Sequence, residues 1–154
     1  MHLVVVESIS PFEPFAPLIA GGIGALSALF GVWLTSTLQQ RRENRAAQGE
    51  ALVGAIRAWG DAYKLHIEEP AGLSRVQVDS AVAAAKLVAV ASKRDAKGIE
   101  KIANATTNSL GSESTGRMIG TAQEALMGWF VRGHSGSRAF AEFQEIGKRN
   151  GLDL

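Results

Sequence analysis

Gly133-His134-Ser135-Gly136-Ser137 comes closest in this chain to a nucleophile motif. The Gly-x-Ser-x-Gly elbow presents a serine on a sharp strand-to-helix turn. Here the last glycine is replaced by Ser137, and no strand precedes the motif in the pattern, so a helix-breaking loop is the better reading. His66 stands near Glu68 and Glu69, a grouping that suits metal or acid–base chemistry. The other histidines, His2 and His134, lie in separate segments, and no His-x-x-x-His pair exists. A solvated helix end accounts for His66 more simply. With no cysteine, the chain has no disulfides, thiolate ligands or thiol nucleophiles. Asn104-Ala105-Thr106 is a glycosylation triplet, expected to be inert on the cytoplasmic side.

Charge is equally restrained. Lys93, Arg94, Lys97 and Lys101 form the densest late basic run, but Asp95 and Glu100 interleave with it. All 16 Lys and Arg lie at or after Arg41, and of the 15 acids only Glu7 and Glu13 precede it. The first 40 residues therefore carry −2 and the rest +3, too little to argue for nucleic acid. No phosphate-binding loop, dinucleotide fingerprint or kinase box occurs. No catalytic, cofactor or metal residue is expected, and no small-molecule substrate is identified.

The elements carry more information than the reactive groups. Phe15 to Leu38 is one uncharged, mostly apolar run, followed at once by Arg41, Arg42 and Arg45. As a helix, Pro17 to Leu38 is roughly 33 Å long, against a hydrocarbon core of about 30 Å. Proline is tolerated in a first helical turn, where its missing N–H costs nothing. The run predicts a transmembrane helix over 16–38. The three arginines hold the following chain in the cytoplasm and leave residues 1–15 outside, so the expected location is the cell's inner membrane, crossed once. A cleaved signal peptide fits less well, because it needs a basic start and a shorter core. Within the span, Ala20, Gly24 and Ala28 recur every fourth residue, with Ser27 and Gly31 on a neighbouring face. Small residues at this spacing let membrane helices approach closely.

Beyond the arginines, one helix is expected to run to about Ile67, burying Leu52, Ile56, Trp59, Tyr63 and Ile67. A turn over 68–72 contains Pro70 and Gly72. Ser74 and Gln77 form a capping box for the next helix. Val78, Val82, Ala85, Ala89, Ser92, Ala96, Ile99, Ala103, Thr106 and Leu110 then alternate steps of four and three, a heptad-like seam. The run Ala81 to Ala91 is apolar nearly all round and predicts a central helix. Ser92 with Asp95 offers an alternative start, which would break this helix in two. A third helix is expected over 113–132, with Leu126 and Trp129 on its core face, and a short one over 137–148, burying Phe140, Phe143 and Ile146. Residues 151–154 read as a frayed tail.

The expected fold is all-α: one N-terminal transmembrane helix continuing into a cytoplasmic bundle over 39–150, an antiparallel three-stranded assembly of three to five helices. Its predicted core is Ile56, Trp59, Tyr63, Val78, Val82, Ala85, Ala89, Ile99, Leu126, Trp129, Phe140 and Phe143. The expected partners are the lipid bilayer and either further copies of this chain or other subunits of a membrane complex. The expected role is a membrane-anchored interaction or scaffold protein. Two alternatives stay open: a one-span membrane-permeabilising protein, and a soluble helical protein with a buried apolar N-terminal helix.

Overall fold

A computed structural model describes residues 16–68 and 73–154, with side chains from 31 to 68 and from 76 onward. The alanine-rich, proline-poor composition gives helix throughout, as propensity requires. Five helices follow one another: α1 (Ala16–Glu68), α2 (Leu73–Val90), α3 (Ala96–Asn108), α4 (Thr115–Arg132) and α5 (Gly136–Arg149). Among the described residues there is no strand. The chain divides into two units, Met1–Arg42 and Glu43–Leu154. The core lies in the second.

No helix among the described residues is long and apolar enough to cross a membrane. The expected span falls mostly on 16–30, whose side chains lie outside the described residues, as do Ala20, Gly24, Ser27 and Ala28. The N-terminal segment 1–15 and the turn over 69–72 also lie outside them.

Contacts between helices fix the course of the second unit. Ser80 Oγ donates to the Ala58 carbonyl (3.2 Å), and Gln48 Nε2 donates to the Val90 carbonyl (3.1 Å), so α2 runs antiparallel to α1. Trp59 Nε1 donates to Thr107 Oγ1 (3.2 Å), which brings the end of α3 back to the level where α2 began. Tyr63 lies against Gly116 and Phe130 against Gly49, so α4 descends beside α1. The start of α5 meets the start of α3, and its end returns to Thr121 through Asn150 Nδ2 (3.0 Å). The five helices thus run in alternating directions, with four reversals between them.

This corrects the three-stranded expectation. The 75–110 segment is not one rod, because the chain reverses over 91–95, between α2 and α3. The break lies where the Ser92–Asp95 alternative put it, with α3 starting at Ala96 behind Asp95; in the turn before it Ser92 Oγ accepts the Asp95 N–H (3.3 Å) and donates to the Asp95 carboxylate (2.7 Å). The reversal changes which face is buried. Ile99, Ala103, Thr106 and Leu110, the second half of the seam, are buried, whereas Val78, Val82, Ala85 and Ala89, the first half, are exposed. The core face of α2 is instead Ser80, Ala84 and Leu87. The central helix is therefore α3, which packs on α2, α4 and α5, and not the apolar run in α2.

In α1 the buried face is Leu52, Ala55, Trp59 and Ala62, with Ile56 half-buried and Tyr63 and Ile67 exposed. Relative to the expected stripe the helix is turned toward its alanines, since small side chains sit where neighbours come closest. Trp129, Leu126 and Phe143 are buried as expected, and Phe140 is half-buried beneath Lys101, whose Nζ lies 4.8 Å from the ring centroid. Buried hydroxyls are satisfied locally: Thr106 donates to Ile102 O (2.8 Å) and Thr121 to Arg117 O (2.8 Å).

The tail is also ordered. Gly151 adopts φ +69°, its N–H bonds to Lys148 O (3.1 Å), and the Leu152 N–H reaches Gly147 O (2.8 Å). This is a Schellman cap, and it tucks Leu152 into the core.

Candidate interaction surface

Three places in the second unit gather polar or exposed apolar groups. The first is the junction of two helix starts. Asp95 Oδ1 accepts the Gly136 N–H at the first turn of α5 (2.8 Å), while Oδ2 takes the Ser92 hydroxyl (2.7 Å). One carboxylate therefore serves the N-terminal ends of both α3 and α5, where negative charge is favoured. Burial acts to raise its pKa. The hydrogen bonds from Ser92, Gly136 and Trp129, together with the charge of Arg94, outweigh burial and hold it below the usual carboxylate value. The backbones touch here: a Cβ on Gly98 would overlap the Gly136 carbonyl, and one on Gly136 would overlap Asp95 O.

The second is the loop that resembled a nucleophile elbow. Gly133 ends α4 at φ +70°, and Ser135 Oγ accepts the Arg138 N–H (3.3 Å) as the cap of α5. His134 Nδ1 lies 3.0 Å from Glu142 Oε1, and Arg138 Nε lies 3.2 Å from the same oxygen. Burial raises the Glu142 pKa, but the hydrogen bonds and charges of His134 and Arg138 prevail and lower it. With Ser135 committed to capping, this trio ties a loop to its helix. His66 is half-buried, and its Nδ1 has no hydrogen-bond partner. Among the described residues no group of three or more His, Asp or Glu side chains is placed to hold a metal ion.

The third is a groove of about 930 Å³ between α1 and α2. Its floor is small and apolar, with Ala47, Gly54, Ala83 and Ala89, and Val53 and Val82 stand on it, 57% and 49% exposed. Glu50 and Arg57 line it from α1, Asp79 and Lys86 from α2. Sequence reasoning singled out Val82 and Ala89 as interior, and the groove is where the structure places them. What the sequence reading missed was the companion stripe on α1, Glu50, Val53, Gly54 and Arg57. Its i, i+3, i+4, i+7 spacing was legible, but the stripe is too mixed in polarity to register as a face.

Of the basic cluster, Arg41 and Arg42 are exposed. Arg45 is engaged with the bundle, donating from Nη2 to Phe130 O (3.3 Å) with its guanidinium 5.9 Å from that ring. Around Gly31 a Cβ would meet nothing within 4 Å, so close helix approach there is not required by the described contacts. Exposed Val32, Trp33, Leu34 and Leu38 share its helix. No protein-family model, curated protein or solved structure matches this chain.

Proposed function

We propose that this chain is a membrane-anchored helical interaction protein, in which an N-terminal span holds the five-helix unit at the inner face of a cell membrane. The observation that carries the reading is the α1/α2 groove: a heptad-patterned helix face that the fold of the chain itself leaves uncovered. Apolar side chains repeated at this spacing suit another helical surface better than a small molecule. The anchor is supported by the uncharged run 17–38 and the arginines behind it. Arg41 and Arg42 are exposed and free to face anionic headgroups.

The test is fractionation of the full chain. It should pellet with membranes and resist alkaline carbonate. Recovery in the soluble fraction as a monomer would remove the anchor. Within the membrane, Gly24→Ile with Ala28→Ile should reduce association of the spans, and an unchanged oligomer would remove that packing face.

A further inference from the structure

We propose that the α1/α2 groove is the docking site for a second copy of this chain, with α1 of each copy lying against α2 of the other. The proposal rests on the membrane-anchored reading only in its choice of a parallel arrangement.

The charges make the case. Glu50 and Arg57 are seven residues apart on α1, and Asp79 and Lys86 seven apart on α2, each about 10 Å along its helix. The Ser80–Ala58 and Gln48–Val90 hydrogen bonds set the register between the helices. They place Lys86 near the level of Glu50 and Asp79 near the level of Arg57. One end of the groove thus carries an acid on α1 and a base on α2, and the other end carries the reverse. All four residues are exposed, and none forms an ion pair with another described residue. A two-fold axis parallel to the helices brings Glu50 onto Lys86 of the second copy and Arg57 onto Asp79 of the second copy. Like charges never meet. A uniformly acidic or basic partner, or a lipid surface, would be repelled by half of this pattern. The surface is complementary to itself, as an isologous interface must be.

The apolar part agrees. Val53 and Val82 sit between the charge pairs, each about half exposed. Gly54 faces the groove, and a Cβ there would meet nothing within the chain. A mid-helix glycine costs about 1 kcal/mol against alanine, and close approach of a second helix pair gives it a purpose. The strip is about 18 Å by 20 Å, which is below the roughly 800 Å² per partner of a standard interface. Docking is therefore weak in solution and strengthened when both copies share a membrane.

A two-fold axis perpendicular to the helices would also match charges, pairing Glu50 with Arg57 and Asp79 with Lys86, but it runs the two α1 helices in opposite directions. Charge swaps separate the cases. The full chain, labelled for energy transfer and reconstituted in vesicles of phosphatidylcholine and phosphatidylglycerol, should associate. Lys86→Glu should weaken association roughly tenfold, and adding Glu50→Lys to it should restore association. All variants should keep the helical circular dichroism of the parent. If adding Glu50→Lys worsens association and adding Asp79→Lys to Lys86→Glu restores it instead, the parallel arrangement is overturned, and with it the shared membrane. Association that ignores every groove charge, yet falls with Gly24→Ile and Ala28→Ile, overturns the groove and leaves the anchor standing. A chain that stays monomeric in vesicles overturns docking outright.

Discussion

Asp95 joins the start of α3 to the start of α5. It holds the turn at Ser92 and accepts the first N–H of α5, so one carboxylate ties two helix starts together. Its depressed pKa means the ionised form is bound better in the folded chain than in the unfolded one. That stabilisation is present in full above the ordinary carboxylate pKa of about 3.9. It fades as pH falls through the lower folded value. Asp95→Asn should therefore lower stability near neutrality by about 1–2 kcal/mol, and the deficit should shrink as pH drops below 4. Urea midpoints between pH 7 and pH 3 would show it; a deficit that does not change with pH would mean that ionisation of Asp95 does not matter. Beside it, Gly98→Ala should cost about 1–3 kcal/mol, because the new methyl meets backbone that cannot swing aside. The Ser92–Asp95 spacing was legible in the sequence as a possible helix start. The Gly98–Gly136 contact was not, since nothing local marks two glycines 38 residues apart as neighbours.

Helix boundaries followed local chemistry and were largely legible; helix faces followed tertiary packing and were less so. Pro17 at the start of α1, Gly133 after α4 and Ser135 before α5 all act as their residue types imply. The expected frayed end is instead capped by Asn150-Gly151-Leu152, whose glycine marks the cap in the sequence even though it lies near the terminus. In α2 tertiary packing overrides the apolar pattern. Two stripes run along this helix, Val78-Val82-Ala85-Ala89 and Ser80-Ala84-Leu87, and only the second is buried. The first is the more apolar, so periodicity alone favours it. The choice is reversed because the chain turns back at 91–95, and periodicity carries no information about a reversal that keeps phase. Leu87→Ala should cost about 2–4 kcal/mol, whereas Val82→Ala should leave folding stability within about 0.5 kcal/mol. Equal effects in thermal melts of the two variants would mean that the buried face of α2 has been assigned wrongly.

At the scale of the molecule, the all-helical class was plain from composition, but the alternation of five helices was not. Three rods and five shorter ones bury similar side chains, and they differ in two short turns, around Ser92 and around His134. The second unit then has what independent folding requires. Its core runs from Leu52 on α1 to Leu152 after α5, and each helix of the unit contributes buried side chains. Trp59 and Trp129 are both within it and report on its packing. A chain beginning at Glu43 should keep near-ultraviolet dichroism and unfold in one cooperative transition, at a midpoint close to that of the full chain. By the membrane-anchored reading it should also leave the membrane pellet for the supernatant, and its weak groove-mediated association should need higher concentration to appear. The two readouts are independent. A shortened chain that folds but still sediments with vesicles would place the membrane contact in the bundle itself. One that fails to fold would mean that residues before Glu43 contribute to the core.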